Sequence, residues 1–262
     1  MGHQRAKKRF GQHFLQDTNV IDRIITTFSP EKGQKIIEIG PGKGALTIPL
    51  LRQQIELDVI EIDKELAQSI INKCNKIGKI NMHCVDVLRL DFGKFSNNKL
   101  RIIGNLPYNI STPILFHLLK FKHCITDMLF MLQKEVVDRL SAEPGNKNYG
   151  RLSVMVQSQC QVEKLFDIGP ESFTPPPKVN SSLVQIRFCD NYDKNTVNSE
   201  AFARIVNSAF QQRRKTLRNS LKAYFDENEI KNAGIAPGAR PEQLTIDQFV
   251  TLTDRYQSSK NQ

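Results

Sequence analysis

The stretch Lys35–Thr47, "KIIEIGPGKGALT", predicts an apolar strand, a glycine-rich turn and the start of a helix. Gly40, Gly42 and Gly44 let the chain turn sharply and bring its backbone close to a ligand at the carboxyl end of a parallel sheet. The pattern G-x-G-x-G differs from the dinucleotide-binding fingerprint, and the Lys-Ser/Thr pair of a P-loop is missing. Glu38, two residues before the first glycine, favours a ligand that carries an amine over one that carries a pyrophosphate.

Apolar runs alternate with helical patterns on both sides of this stretch. Upstream, residues 17–28 predict an amphipathic helix with Asp17 or Thr18 as its N-cap. Downstream, strand patterns and helical segments alternate, which predicts an α/β fold with a doubly wound parallel sheet. The strand patterns are "LDVIEID", "INMHCVDV", "LRIIGN" and "DMLFMLQ". Three later segments, "RLSVMVQSQC", "QVEKLFDI" and "SSLVQIRFC", carry residues typical of strands, and the last two favour antiparallel edge strands.

The character of the chain changes at the polar, turn-rich segment "CDNYDKNTVNSE", residues 189–200. Beyond it, "AFARIVNSAF", "TLRNSLKAYF" and "TIDQFVTLTDRY" are amphipathic with helical spacing. We therefore predict one domain over residues 1–191 and a small, all-helical domain over residues 192–262.

Composition limits the classes of function. The 262 residues carry 37 Lys and Arg against 27 Asp and Glu, a formal net charge of +10, which favours a polyanionic partner. The chain has no apolar run approaching the ~20 residues of a membrane span and no secretory signal. Its five cysteines form no C-x-x-C pair, and its histidines lack metal-site spacing, so we predict reduced thiols, a cytoplasmic location and no metal. No self-association stripe is evident, which favours a monomer.

Two acidic residues follow neighbouring strands of the predicted sheet. Glu61 ends a strand about 20 residues after the glycine turn, where a carboxylate can accept hydrogen bonds from both hydroxyls of a ribose. The alternative for an acid here is a helix cap, but Asp63 is better placed for it because Lys64 begins the helix. Asp86 is predicted to end the next strand and to accept from an adenine amino group. Together with the glycine turn, these residues predict a site for an adenosine with an amine-bearing tail and no phosphates, namely S-adenosylmethionine.

The fourth strand ends in "GNLPY", which places Asn105, Leu106, Pro107 and Tyr108 at the same edge of the sheet. The alternative is an ordinary turn, because Asn and Pro are common turn residues. Beside a methyl donor, however, the Asn105 side-chain oxygen and the Leu106 carbonyl can accept both N–H bonds of an adenine amine and direct its lone pair to the methyl group. Pro107 stiffens the turn, and Tyr108 can stack on a base.

These motifs resemble the small-subunit rRNA adenine dimethyltransferase family over nearly the whole chain. The shared blocks are "KRFGQHFL", "EIGPGKGALT", "VIEIDKEL", "GNLPYNIST", "FMLQKEVVDRL", "YGRLSVM", "FTPPPKVNSSLV" and "QRRKTLRNSL". The resemblance implies a Rossmann-like, S-adenosylmethionine-dependent methyltransferase domain with a helical C-terminal domain. It also implies dimethylation of two adjacent adenosines near the 3′ end of 16S rRNA. The implied cofactor contacts are His13, Leu15, Gly40, Glu61, Asp86 and Asn105, although many members carry Asn where this chain has His13.

Phe173 precedes three prolines in "ESFTPPPKVNSS", and two interpretations of its ring are open. Taken alone, the segment predicts either an exposed, stiff aromatic loop or a loop anchored by a buried Phe173. The resemblance implies that this loop lies near the target base. It therefore pairs Phe173 with Tyr108 as the two sides of a base clamp.

Two basic segments are candidates for contact with RNA. "RAKKRF" near the start predicts a basic arm with Arg5, Lys7, Lys8 and Arg9. In "QQRRKTLRNSLK", a helix would place residues 214, 218 and 222 on one face, which favours a phosphate-binding stripe over a merely solvated face. The predicted RNA-binding residues are Arg213, Arg214, Lys215, Arg218 and Lys222.

The sequence is compatible with three functions. The first is a dimethyltransferase that acts on small-subunit rRNA within a pre-ribosomal 30S particle during subunit biogenesis. The second is a large-subunit rRNA adenine methyltransferase of the antibiotic-resistance type, against which "FTPPPKV" and "QRRKTLRNSL" argue. The third is a binding factor that gates ribosome assembly, for which methylation is secondary.

Overall fold

The computed structural model describes residues 12–95, 99–189, 191–192, 194–197, 199–212 and 215–260. These residues form two compact units. The sheet unit comprises the described residues within 1–137 and 163–188, and the helical unit comprises those within 138–162 and 189–262. The helical unit therefore includes residues 138–162, which the sequence analysis assigned to the first domain.

Strands and helices alternate through the sheet unit. The strands are β1 (Phe14–Leu15), β2 (Lys35–Ile39), β3 (Glu56–Ile60), β4 (Ile80–His83), β5 (Leu100–Asn105), β6 (Ile125–Gln133), β7 (Cys160–Ile168), β8 (Phe173–Thr174) and β9 (Ser181–Phe188). The helices are α1 (Thr18–Phe28), α2 (Thr47–Leu51), α3 (Lys64–Cys74), α4 (Ser111–Leu119) and α5 (Lys134–Leu140). The boundaries between the units fall within α5, within β7 and directly after β9.

Seven of the described strands form one sheet in the order β4-β3-β2-β5-β6-β9-β7. The β2–β3, β2–β5, β3–β4 and β5–β6 pairs are parallel, so the predicted doubly wound sheet is confirmed. β9 runs antiparallel to β6, and its residue Ser181 pairs with Gln133 at the carboxyl end of β6. The start of β9 therefore lies at the same edge of the sheet as the carboxyl ends of the parallel strands.

Helix caps in the sheet unit follow the predicted positions. The Asp17 side chain accepts hydrogen bonds from the Asn19 and Val20 backbone N–H groups at the start of α1. The Asp63 side chain accepts from the Glu65 N–H group at the start of α3. Both caps satisfy backbone donors that a helix leaves unpaired in its first turn.

The helical unit has its own apolar core. Its helices are α6 (Arg151–Gln157), α7 (Lys194–Val197), α8 (Glu200–Phe210), α9 (Leu217–Ser220), α10 (Glu227–Asn232) and α11 (Ile246–Lys260). Tyr149, Phe202 and Phe249 are fully buried in this core. The segment "RLSVMVQ", whose β-branched residues are typical of strands, forms the helix α6.

Gly104 allows close approach of two central strands. A Cβ atom at this position would overlap the backbone carbonyl oxygen of Ile39 on β2. We expect Gly104→Ala to lower the free energy of unfolding by about 1–3 kcal/mol, because two paired strands would have to separate locally. Urea unfolding measures the change. Gly78→Ala is the matched control, since its Cβ would meet Leu51 at 3.5 Å, an ordinary contact; equal stability losses in the two variants would contradict this explanation.

Candidate active site

A cavity in the sheet unit opens at the carboxyl ends of β2, β3 and β5. It brings together all of the residues predicted to contact the cofactor and the residues of the Asn-Leu-Pro-Tyr motif. The sequence-predicted residues that line it are His13, Leu15, Gly40, Glu61, Asp86, Asn105, Leu106, Pro107 and Tyr108. Glu38 also lines it, as do Ile62 and Leu88, to which the sequence analysis gave no place in the site.

The glycine turn approaches the motif backbone closely. Gly40 has φ +71°, in the left-handed region that favours glycine. A Cβ atom at Gly40 would lie 3.3 Å from the Asn105 carbonyl oxygen. The turn after β2 therefore leaves room beside β5 that a larger residue would fill.

Glu38 is a buried carboxyl group that the sequence pattern suggested only as an acid suited to an amine. Its side chain is 1% exposed, and its Oε2 atom has no hydrogen-bond partner among the described residues. Burial raises the pKa of Glu38 from 4.5 to about 8; the Thr47 hydroxyl opposes this shift and the Glu61 charge adds to it. The cavity thus contains a carboxyl group that lacks a compensating positive charge.

Glu61 follows β3 directly, as predicted. Its Oε1 atom accepts a hydrogen bond from the Asp63 N–H group at 2.9 Å, while the Asp63 side chain caps α3. Burial raises the pKa of Glu61, and backbone hydrogen bonds from Asp63, Ile62 and Gly42 oppose that shift. Ile62 between the two acids is 49% exposed, so an apolar side chain is available beside the carboxylate.

Asp86 reaches the cavity from a loop, so the prediction that it ends a strand is wrong. β4 ends at His83, which pairs with Ile60 at the end of β3. The chain leaves the sheet there, so Asp86 lies in the segment that follows β4. The Asp86 side chain accepts a hydrogen bond from the Leu88 N–H group at 3.0 Å and caps the short 3₁₀ turn Val87–Arg89.

Asn105 is oriented by a hydrogen bond to another part of the chain. Its Nδ2 atom donates to the His13 carbonyl oxygen at 3.0 Å. No described residue donates to its Oδ1 atom, which is therefore available as an acceptor. The next residue is held by a hydrogen bond from the Leu106 N–H group to the Met131 carbonyl, at 3.3 Å. The Ile110 N–H group closes the turn by donating to Pro107, at 3.1 Å.

Tyr108 is held at its hydroxyl and at its ring. The hydroxyl lies 2.6 Å from the Ser181 Oγ atom, within hydrogen-bond distance. The ring stacks on the His13 ring with 5.5 Å between centroids. Burial raises the pKa of Tyr108, and the hydrogen bond with Ser181 opposes that shift. The sequence analysis did not identify Ser181, because nothing in the chain pattern links it to the distant motif.

The structure does not bring Phe173 to the cavity, so the predicted face-to-face pair with Tyr108 is corrected. The Phe173 side chain is 2% exposed and packs in the apolar core of the sheet unit. Its backbone pairs with Leu15 in the two-stranded β1–β8 sheet, which draws the ring inward. The alternative interpretation, a buried anchor for the proline loop, describes this arrangement.

The predicted RNA-binding residues do not form a continuous helical stripe in the described part of the chain. Arg213 and Arg214, like residues 5–9 of the basic arm, lie outside the described residues. Lys215 and Lys222 are exposed and lie on either side of α9, which spans only residues 217–220. Arg218 is within α9, and its Nη1 atom lies 3.2 Å from Glu227 Oε1. The prediction that one helical face continues from Arg218 to Lys222 is therefore wrong, because α9 ends at Ser220.

The described residues contain neither a cluster suited to a metal ion nor a helix suited to spanning a membrane. No group of three or more His, Cys, Asp or Glu side chains there is arranged to hold a metal ion. None of the helices in the described ranges combines the length and the apolar character needed to cross a membrane.

Comparisons of the sequence with known proteins agree with the site. The profile of a family described as "Ribosomal RNA adenine dimethylase" matches residues 3–258. A relative from Nitrosococcus oceani, "Ribosomal RNA small subunit methyltransferase A", is 48% identical over 98% of this chain and 97% of its own length. A relative of the same name from Hydrogenovibrio crunogenus is 44% identical over 99% of this chain and 100% of its own.

Solved structures share the fold at lower identity. A dimethyladenosine transferase from Plasmodium falciparum superposes with a TM-score of 0.78 and 23% identity, over 95% of this chain and 98% of that protein. The 23S rRNA methyltransferase ErmE superposes with a TM-score of 0.73 and 24% identity, over 93% and 99% of the two chains. The Rossmann-like methyltransferase fold is thereby confirmed.

Proposed function

The chain belongs to the ribosomal RNA adenine dimethylase family, and from this premise we propose that it is an S-adenosylmethionine-dependent rRNA (adenine-N6,N6)-dimethyltransferase. It methylates two adjacent adenosines near the 3′ end of small-subunit (16S) rRNA, in four transfers. The observation that carries the proposal is the single cavity in which Glu61, Asp86 and the oriented Asn105 amide meet.

The residues that line the cavity suit the cofactor in charge and in hydrogen-bonding capacity. The buried Glu38 Oε2 atom lacks a partner, and the cofactor carries a cationic amine. Glu61 would accept from the ribose hydroxyls and Asp86 from the adenine amine, with Gly40, Leu15 and the backbone of His13 contributing close contacts. When bound, S-adenosylmethionine supplies an electrophilic methyl group.

The motif residues would prepare the acceptor amine for attack. The amino nitrogen of adenine is a poor nucleophile, because its lone pair is delocalised into the ring. Asn105 Oδ1 and the Leu106 carbonyl accept its N–H bonds and so hold the lone pair toward the methyl position. Pro107 fixes the turn, and Tyr108 offers a face for the base after it leaves its stack in the RNA.

This arrangement requires no strong general base. The amine becomes acidic only once the methyl group has been transferred, so its proton can leave afterwards. After the first transfer the amine keeps one N–H bond, and the site must hold that bond while making room for the new methyl group. The same acceptors therefore serve both rounds at each adenosine.

The partner we infer is a pre-ribosomal 30S particle in the cytoplasm, bound by the protein as a monomer. The relatives that are 44–48% identical carry the small-subunit name, which supports that substrate over large-subunit rRNA. The residues 192–262 and the basic arm are proposed to contact the RNA. Exposed Lys215 and Lys222 support this role for the helical unit.

Incubation with methyl-labelled S-adenosylmethionine and immature small subunits tests the proposal. We expect label in dimethyladenosine of the small-subunit RNA, and nuclease digestion followed by chromatography identifies it. Label confined to large-subunit RNA would favour the rival methyltransferase. A folded protein that transfers no label to either RNA would refute the proposal.

Replacement of Glu61 tests the ribose contact directly. We expect Glu61→Gln to weaken S-adenosylmethionine binding about tenfold, in keeping with the loss of a hydrogen bond to a charged group. Isothermal titration calorimetry measures the affinity, and Glu56→Gln, at an exposed position at the start of β3, is the matched control. Unchanged affinity in the Glu61 variant would exclude the ribose contact.

A second Glu61 variant, tested in cells, distinguishes a catalytic role from a gating role in ribosome assembly. Cells that carry only a Glu61→Ala variant are expected to mature small subunits without dimethyladenosine if gating is the main role. If small-subunit maturation is lost both in this strain and in a deletion strain, methylation is the main role.

A further inference from the structure

The His13 side chain makes a contact that cofactor binding does not explain. Its ring stacks on the Tyr108 ring, with 5.5 Å between centroids and 27° between planes. Offset stacking at centroid distances of about 4.5–7 Å is the favourable arrangement for a pair of aromatic rings. One face of Tyr108 is therefore covered by a residue far from it in sequence.

His13 is held by one hydrogen bond at its side chain and one at its backbone. Its Nδ1 atom donates a hydrogen bond to the Pro175 carbonyl at 2.8 Å, and its own carbonyl accepts from Asn105 Nδ2 at 3.0 Å. The following residues form β1, which pairs with β8 beside the proline loop. The imidazole is thus held between that loop and the Asn-Leu-Pro-Tyr motif.

Tyr108 is also fixed at its other end. Its hydroxyl hydrogen-bonds with Ser181 at 2.6 Å, and Ser181 is fully buried at the start of β9. Because the hydroxyl oxygen lies on the axis of ring rotation, this bond fixes the position of the ring, whereas stacking on His13 restrains rotation of its plane. The position and the plane of the Tyr108 ring are therefore set by two residues outside the motif.

We propose that His13 is a positioning residue for the acceptor base: it supports one face of Tyr108 so that the opposite face receives the adenine. This inference rests on the proposed function. A base between two rings needs their planes about 7 Å apart, twice the ~3.4 Å spacing of stacked bases. The 5.5 Å between the His13 and Tyr108 centroids leaves no such gap, so the imidazole supports the stack from behind.

The backbone of His13 orients Asn105, the second residue proposed to contact the base. Its carbonyl holds the Asn105 nitrogen and so directs Oδ1 as the acceptor. One residue therefore orients both the ring that stacks on the adenine and the amide that accepts its N–H bond. A side-chain replacement at position 13 removes only the first effect, which makes the ring contribution separable.

A double-mutant cycle with Tyr108 tests the proposal. We expect His13→Ala to lower kcat for transfer to immature small subunits about three- to tenfold, the range typical of one aromatic pair. His13→Phe keeps a ring at this position and should restore kcat to within about twofold of the parent. In a Tyr108→Leu background, His13→Ala should have no further effect, because the stacking partner is already gone.

Calorimetric titration with S-adenosylmethionine distinguishes positioning from a cofactor contact. We expect His13→Ala to change the cofactor Kd by less than about twofold, so that the loss appears in kcat alone. Thermal unfolding checks that each variant is folded.

Several results would overturn the inference. One is a loss of cofactor affinity in His13→Ala that equals its loss of kcat, and another is a kcat that His13→Phe does not restore. A third is a loss of kcat from His13→Ala that adds to the loss from Tyr108→Leu. Faster methyl transfer by His13→Ala would mean that the imidazole ring blocks the base. If the parent protein transfers methyl groups and His13→Ala transfers them with the same kcat, this inference is wrong and the proposed function stands. If the parent protein transfers no methyl groups, both the proposed function and this inference are wrong.

Discussion

Replacement of Asn105 by Ala is expected to lower the rate of methyl transfer by about 10²–10³-fold, the range typical of losing one aligned hydrogen-bonding group in an active site. The variant loses the Oδ1 acceptor for the adenine amine and also the Nδ2 bond to the His13 carbonyl. Both losses reduce the fraction of bound adenines whose lone pair faces the methyl group. Single-turnover transfer to immature small subunits, with labelled cofactor in excess, measures the rate of the chemical step.

Two controls distinguish a slower methyl transfer from weaker cofactor binding and from unfolding of the variant. Asn72→Ala removes an exposed Asn from α3, away from the cavity, and should transfer at the parent rate. Calorimetry on Asn105→Ala should show a much smaller loss of cofactor affinity than of rate. If the rate at saturating cofactor were within about threefold of the parent while cofactor affinity fell strongly, Asn105 would be a cofactor contact only.

Local signals in the sequence predicted the sheet unit well. The glycine turn after β2 and the caps at Asp17 and Asp63 depend on residues within one turn of each other, so a linear pattern contains all the information. The ends of β3 and β5 were predicted for the same reason. Since parallel strands end at one edge, placing Glu61 and Asn105 on two strands also predicted that they meet.

Features that depend on distant parts of the chain were not predictable in this way. The burial of Phe173 follows from the pairing of β8 with β1, whose residues are far from β8 in the sequence. The α6 segment alternates Leu152, Val154 and Val156, a strand-like pattern, yet all three are buried in a helix. A helix surrounded by a core has no polar face to reveal its period, so burial overrides the local pattern.

Glu38 shows the same limit for electrostatics. Its position two residues before Gly40 is visible in the sequence, but the shift of its pKa depends on how completely its neighbours exclude water. Burial is the largest cause of the rise to about 8, and the carboxylate of Glu61, from the next strand, adds to it. Neither quantity can be derived from spacing.

That shift predicts a pH dependence of stability that Glu38→Gln should abolish. The pKa is about 8 in the folded protein against 4.5 ordinarily, so between these values the folded state holds a proton that the unfolded state has lost. The free energy of unfolding should therefore fall as pH rises, by about 1.4 kcal/mol per pH unit and by about 5 kcal/mol across the window. Gln stays neutral, so the variant should equal the parent near pH 4.5 and exceed it in stability by several kcal/mol at pH 8.

Urea unfolding of both proteins between pH 5 and pH 8 measures this difference, and cofactor binding supplies an independent readout. The cationic amine of S-adenosylmethionine favours the ionised form of Glu38, so binding at pH 7 should release a proton from the parent protein. Titrations in two buffers with different ionisation enthalpies count that proton. Glu38→Gln should release none and should bind the cofactor more weakly. If the variant kept both the slope of stability with pH and the proton release, the titrating group would be Glu61, whose pKa is also raised by burial, and Glu38 would have no role in binding the amine.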